Sequence, residues 1–327
     1  MSLARSIVLK TAGLSPVKYL IRKSFLFRPL VRRFIAGDTL EEALKSCEAI
    51  LAKGQMVSLD YLGENTASEQ EALQAKSTYI QMLQAIASLP AIQTWNANHA
   101  QSPNLHVTGD GIEPINISIK LTQCGFDQGT DFAERNLRDV LDTAKGLNNF
   151  VRVDMESSEY TERTMEIMGR VVKDYKNTGT VLQTYLYRTP KDVEQVIEWK
   201  ARVRLVKGAY LEPAAVAFPE KAKVDEAYVT LGKRLMDAGT YPAFATQDAK
   251  IIEALVAYAR ERKIDPSRFE FQMLYGIRRD LQDKLSSEGF KVRVYVPYGD
   301  AWYPYFSRRL AERPANTLFI VKSLFKG

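Results

Sequence analysis

One pattern constrains this chain more than any other. A short apolar or β-branched run is followed by a longer stretch with helical spacing, and the alternation repeats along the chain. The runs are Met56–Leu59, Ile115–Ile119, Phe150–Val153, Val181–Leu182, Val203–Val206, Pro242–Ala245, Arg268–Phe271 and Arg293–Val296, with helical segments such as Asp131–Lys145 and Asp192–Lys200 between them. Eight such units in one uninterrupted chain predict an α/β fold, a closed (β/α)8 barrel of the TIM type rather than an open doubly wound sheet. At 327 residues and 46% hydrophobic the chain is long for one domain, yet a barrel of this size is commonly a single unit.

The ends of the runs carry the second signal. Asp60, Lys120, Asp154, Gln183, Lys207, Thr246 and Gln272 stand near the C-terminal ends, and Tyr295 lies in the last run. A barrel gathers those ends around one mouth, where active sites of this fold are built. Polar residues also mark ordinary loop boundaries, but two lysines and two aspartates in equivalent places point to a polar mouth.

Several chemistries are disfavoured. No run approaches the roughly 18 apolar residues of a membrane span. Cys47 and Cys124 are too few for a disulfide framework, which fits a reducing compartment, and Cys124 reads as packing rather than as a nucleophile because neither His99 nor His106 is placed as its base. Both histidines lie in the polar stretch Asn96 to Gly111, so no metal site is expected. A G-x-G-x-x-G turn between strand and helix is absent; Gly109 and Gly111 supply only its first positions and precede a strand. Lys120 and Lys207 could form Schiff bases, as in a lysine-dependent aldolase, but among other cations anion binding is the more economical role.

Charge is spread unevenly. From Met1 to Gly37 the basic residues are Arg5, Lys10, Lys18, Arg22, Lys23, Arg28, Arg32 and Arg33, with no acid among them. Interleaved with Leu, Ile, Val and Phe, they read as a solvated helical arm, a transit peptide, a surface for anionic lipid or a nucleic-acid patch. The expected organisation is a basic helical arm over residues 1–45 that packs on a barrel domain over 46–327.

The closing tract, RVYVPYGDAWYPYFSRRLAERPANT from Arg293 to Thr317, runs a strand through a Pro-Tyr-Gly turn into a helix bearing Arg308 and Arg309. Twin guanidiniums on one helix suit a two-pronged grip on a carboxylate or phosphate, and Glu312 stands one turn on, where it can orient one fork. A solvated Arg-Arg-x-x-Glu face would read the same way.

Together with MVSLDYLGE (Met56 to Glu64), SIKLTQCG (Ser118 to Gly125), VRVDMES (Val151 to Ser157), LQTYLYRT (Leu182 to Thr189), RLVKGAYLEP (Arg204 to Pro213), FATQD (Phe244 to Asp248) and FEFQMLYGIR (Phe269 to Arg278), the closing tract resembles the proline dehydrogenase family, in order and one tract per strand from about Arg32 onward. The chain is similar to the monofunctional bacterial form, since no aldehyde dehydrogenase domain follows.

The resemblance implies a flavoenzyme carrying FAD on a distorted barrel. It would oxidise L-proline to Δ1-pyrroline-5-carboxylate by hydride transfer from the ring carbon to flavin N5, the first step of proline catabolism to glutamate, and pass electrons to a membrane quinone. By matching position, Lys120, Arg308 and Arg309 resemble the substrate carboxylate clamp. Asp154 and Arg204 resemble the catalytic polar groups at the flavin. Met155, Gln183, Lys207, Gly208, Ala209, Thr246 and Gln247 resemble further FAD contacts, and Tyr210, Leu274 and Tyr295 the walls around the proline ring. The implied location is cytoplasmic, peripheral at the inner face of the cell membrane through residues 1–37, with no nucleic acid as partner. Two departures qualify the carry-over. Gln247 stands where the family commonly has His, so that position brings no positive charge to the cofactor, and the stretch Ile92 to Glu113 looks longer and more polar than in compact bacterial members.

Overall fold

Alternating side chains give each strand two faces, and here both faces are buried, so the sheet has to close on itself or be covered twice. It closes. The computed structural model describes residues 28–63, 65–99 and 112–311, the side chains of 96–99 and 308–311 excepted. Strands β1 (Met56–Tyr61), β2 (Ile115–Ile119), β3 (Val151–Val153), β4 (Thr178–Gln183), β5 (Arg202–Val206), β6 (Thr240–Ala245), β7 (Glu270–Leu274) and β8 (Val292–Tyr298) pair in chain order. β8 then pairs in parallel with β1.

Helices α1 (Arg28–Arg32) and α2 (Leu40–Leu51) precede β1, and α3 (Glu69–Ala87) and α4 (Pro90–His99) follow it. After β2 to β7 come α5 (Thr130–Gly146), α6 (Ser158–Asp174), α7 (Thr189–Glu198), α8 (Lys221–Ala238), α9 (Ala249–Glu261) and α10 (Arg279–Ser287), and α11 (Tyr303–Ala311) follows β8. The division expected at residue 45 falls inside α2, which buries Ala43, Cys47 and Ile50 in the main core.

Two runs differ from expectation for a local reason. β7 begins at Glu270 because Asp265 accepts from Ser267 N and caps a 3-10 turn over Pro266–Arg268, which removes Arg268 from the strand. In β6, Pro242 has no N–H for the ladder. Register slips there, from Arg202 opposite Thr240 to Arg204 opposite Ala243, and the extra residue puts Tyr241 at φ 46°. The bulge lets the Tyr241 hydroxyl donate to Glu270 at 3.1 Å.

The outward face of the barrel is dry. Val57, Leu59, Ile115, Ile117, Ile119, Val151 and Val153 pack against α2, α3, α5 and α6, and a second cluster joins Val203, Leu205, Phe244 and Phe271 to α7 through α10. The inward face is polar. At its floor the Glu113 carboxylate takes Arg202 Nη1 and Nη2 at 3.0 and 2.9 Å, and Arg293 Nε donates to Glu270 Oε1 at 2.8 Å. Burial alone would raise the Glu113 carboxyl, but Arg202 and Arg293 overcome it and hold it down at about 2. Arg152 donates Nη1 to the carbonyls of Thr180 and Arg202 at 3.1 and 2.7 Å, beside the Phe150 ring.

Two outcomes follow from this floor. Arg152 has room only because position 179 lacks a side chain: a Cβ there would lie 2.0 Å from the Arg202 carbonyl oxygen and 2.7 Å from Arg152 Nη1. Gly179→Ala is therefore expected to destabilise the fold by at least about 1–3 kcal/mol, read as a lower urea midpoint, and an unchanged midpoint would show that β4 shifts freely. The second outcome concerns acid. Because the folded Glu113 carboxyl is depressed, its contribution is present above the unfolded value of about 4.3 and is lost as pH falls through about 2. Glu113→Gln should lower stability at neutral pH and flatten the acid limb of a stability-against-pH curve.

Candidate active site

A cavity of about 500 Å3 opens at the C-terminal ends of the strands. Its polar end is built on one guanidinium. Arg204, at the middle of β5 and 4% exposed, points inward, where period two puts it on the same face as Ser58, Ser118, Asp154, Gln272 and Tyr295. Nε donates to Gln272 Oε1 at 2.5 Å, Nη1 to Asp154 Oδ1 at 2.5 Å, and Nη2 to Ser58 and Ser118 Oγ at 3.2 and 3.0 Å. A guanidinium has one more N–H than these contacts use. The remaining one is on Nη1, in a residue that lines the cavity.

Asp154 is held from a second side by the Tyr295 hydroxyl, which donates to Oδ2 at 2.9 Å, while the Tyr295 ring lies 5.1 Å from the Arg204 guanidinium. Burial, then the charges of Asp154 and Asp60, push the Tyr295 hydroxyl well above its ordinary range, so it remains a donor at neutral pH. Lys120, at the end of β2, gives Nζ to Asp60 Oδ1 at 2.9 Å. Asp60 is wholly buried and its Oδ2 has no hydrogen-bond partner among the described residues. Its carboxyl is raised, first by burial and then by the Asp154 charge, against the pull of Lys120.

The flank of the cavity is different in kind. Met155, Val181, Val206, Ala245 and Met273 give it an apolar wall. Around that wall stand neutral polar groups. Gln183 is fixed by donating Nε2 to the Glu156 carbonyl at 2.9 Å and accepting from Tyr185 at 3.2 Å, Thr246 accepts from Asp248 N at 3.1 Å, and Gln247 follows. Past β5 the chain turns through Gly208 at φ 121°, where a Cβ would meet the Tyr185 ring at 2.5 Å, so backbone alone can line the cavity there. Ala209 and Tyr210 continue that edge.

A roof closes the polar end. Leu62, Ile277 and Tyr305 line the cavity and belong to an apolar cluster with Val31, Phe34, Ile35, Trp302 and Phe306, against which Leu274 and Tyr295 pack. It thus joins α1 to α11.

Of the residues singled out in the sequence, Lys120, Asp154, Met155, Gln183, Arg204, Lys207, Gly208, Ala209, Tyr210, Thr246, Gln247, Leu274 and Tyr295 line this one cavity. The side chains of Arg308 and Arg309, and all of Glu312, lie outside the described residues. Lys207, expected as an anion binder, lines the cavity with its ammonium shared by Asp225 at 2.6 Å and Asp248 at 2.8 Å, because α8 and the cap of α9 bring both carboxylates to it. Lys120 is likewise paired. Neither is the desolvated, partnerless amine that imine chemistry favours. Sequence reasoning passed over Ser58, Ser118, Glu270 and the partnership of Gln272, though counting back two residues from Asp60, Lys120 and Gln272 puts each on the inward face.

Known proteins resemble the chain over nearly all of this structure. A family model described as proline dehydrogenase matches residues 43–322. Proline dehydrogenase 1 of Bacillus subtilis (strain 168) is 40% identical over 304 residues, 93% of this chain and 93% of its own. The proline dehydrogenase of Deinococcus radiodurans is 38% identical over 330 residues, 99% of either chain. Among solved structures, proline utilization A from Bdellovibrio bacteriovorus inactivated by N-propargylglycine superposes with a TM-score of 0.78 at 25% identity, covering 94% of this chain and 36% of that longer one.

The Asp60–Lys120 pair gives a test of the site's electrostatics. With side chains 1% and 8% exposed, removing one partner leaves the other without this ion pair inside the barrel. Lys120→Met and Asp60→Leu should each cost about 3–5 kcal/mol, and the double variant should cost less than their sum, because a buried pair replaced by apolar groups leaves no orphan. Additive losses in the double-mutant cycle would show that the two charges are separately solvated.

Proposed function

The chain belongs to the proline dehydrogenase family, an oxidoreductase family acting at the first step of proline catabolism, and from that premise we propose that it oxidises L-proline to Δ1-pyrroline-5-carboxylate with FAD as cofactor and a membrane quinone as electron acceptor. The observation that carries the reading is the division of one cavity into two chemistries. Its flank is an apolar wall edged by Gln183, Thr246, Gln247 and the glycine turn at Gly208, a setting that fits a flat heteroaromatic ring with polar edges. Its inner end presents the remaining Arg204 N–H beside Asp154 and Tyr295. No Rossmann glycine turn is needed for a cofactor held in this way. Bound FAD supplies the acceptor for the hydride that leaves the proline ring carbon.

The chain's own residues do the rest. Arg308 and Arg309, with Glu312 to orient them, and Lys120 are proposed to bind the substrate carboxylate. A carboxylate arriving at Lys120 competes with Asp60 for the ammonium, and the raised Asp60 carboxyl can answer by holding a proton. Tyr210, Leu274 and Tyr295 would confine the ring, which matters more here than activating a nucleophile, since positioning alone can supply much of the barrier lowering. Tyr295 and Arg204 keep Asp154 in one orientation. The positive charge of Arg204 favours a cofactor that gains electrons. The roof made by Leu62, Ile277 and Tyr305 limits access of water from that side.

Location is part of the proposal. No helix among the described residues is long and apolar enough to cross a membrane. A quinone acceptor would bring the protein to the inner face of the cell membrane, with residues 1–37 as the basic contact; residues 1–27 lie outside the described ones.

The decisive experiment is optical. Purified protein should be yellow with a flavin spectrum, and L-proline added without oxygen should bleach it; a colourless preparation that binds no FAD, or a flavin unaffected by proline, would overturn the reading. In the same assay Arg308→Met and Arg309→Met should each weaken proline by about ten- to a hundredfold while keeping the flavin, as expected for loss of a charge-assisted contact. Unchanged proline affinity in both would remove them from the clamp.

A further inference from the structure

Gln272 stands between two groups of opposite charge. Its Oε1 accepts from Arg204 Nε at 2.5 Å, and its Nε2 donates to Glu270 Oε1 at 2.5 Å. Glu270 is itself anchored to the floor by Arg293 Nε at 2.8 Å and by the Tyr241 hydroxyl at 3.1 Å, and all of its surface is buried. A neutral amide gives an acceptor to the guanidinium and a donor to the carboxylate in one side chain. Glutamate at 272 would face Glu270 with like charge, and lysine or arginine would face Arg204 in the same way. Leucine or methionine would leave both polar neighbours short of a partner.

The consequence falls on Arg204. Asp154 fixes one arm of its guanidinium and the two serines fix the other, but the Nε contact sets the plane about the side-chain axis, and so the direction of the one N–H left over. We infer that Gln272 is a positioning residue for the reaction: it locks the guanidinium of Arg204 to the barrel floor through Glu270, while keeping a second negative charge from neutralising it. Asp154 remains the one carboxylate paired with Arg204 among the described residues. The inference rests on the reading that this N–H faces a bound flavin.

The test uses the FAD-loaded protein with Gln272→Glu and Gln272→Met, and reads the equilibrium for flavin reduction as well as turnover. In Gln272→Glu at alkaline pH the new carboxylate cancels the Arg204 charge. Flavin reduction should become at least about tenfold less favourable, about 30 mV for a two-electron couple. As pH falls the carboxyl, buried and facing Glu270, takes a proton and again offers a donor and an acceptor, so this variant should return toward wild type. Gln272→Met should show a smaller loss without that recovery. In both, kcat for proline should fall while KM stays within about twofold, because the substrate clamp is elsewhere. A purely structural role would lower thermal stability and leave the reduction equilibrium in place. Both variants within about threefold of wild type in that equilibrium would overturn the inference, provided the wild type is bleached by L-proline; a wild type that is not bleached overturns the reading beneath it instead.

Discussion

The guanidinium of Arg204 is the interaction on which the rest of the barrel interior depends. It touches side chains from β1, β2, β7 and the residue that follows β3 from its own place on β5, so four strands and the end of a fifth are keyed to one planar group. Burying a charge so deeply is costly unless its donors are met, and here nearly all of them are. What remains is directional. Because the acceptors are fixed in turn, Asp154 by Tyr295 and Gln272 by Glu270, the group cannot rotate freely, and among the described residues one Nη1 N–H is left over in a group that lines the cavity.

Below Arg204 the interior continues as a ladder of alternating charge. Arg293 meets Glu270 and Glu113, and Glu113 meets Arg202. Arg152 departs from this pattern: it has no carboxylate in contact among the described residues, and relies on two carbonyls and the face of Phe150. Its burial, with Arg204 and Arg202 close by, weakens its hold on its proton. Such an interior contributes little net stability against an apolar one. The stabilising burial is on the outer face, where branched aliphatic residues pack on the helices, and that separation lets the inner face be given over to chemistry.

The same separation explains what could be read from the sequence. The outer face was legible because strand residues with their neighbours in helices form a repeating signal, so the eight strands, their order and the closed barrel were all accessible from Met56 onward. The mouth was legible because period two places Asp60, Lys120, Asp154, Gln272 and Tyr295 at equivalent inward positions. Partnerships were not. Nothing near Lys207 in the chain announces Asp225 and Asp248, since the pairing depends on how α8 and α9 return to the sheet. Glu113 closes a polar stretch with no periodicity of its own, yet its carboxylate holds two arginines from β5 and β8. The bulge at Tyr241 was signalled only by Pro242, which reads equally as the first residue of a strand.

The roof adds a constraint from the two ends of the described chain. Phe34 lies 6.2 Å from Phe306, and Trp302 packs edge-on to the same ring at 5.6 Å. Backbone hydrogen bonds reinforce the contact, with Ala36 N donating to the Pro297 carbonyl at 2.9 Å and Gly299 N to the Gly37 carbonyl at 3.0 Å. The segment before β1 is therefore stitched to the end of β8 and the residue that follows it, across the seam where the barrel closes. Phe306 sits on α11, so the apolar contact that roofs the cavity also anchors that helix. Closing the barrel and roofing the cavity are consequently one packing event, and a fault at Phe34 acts on both.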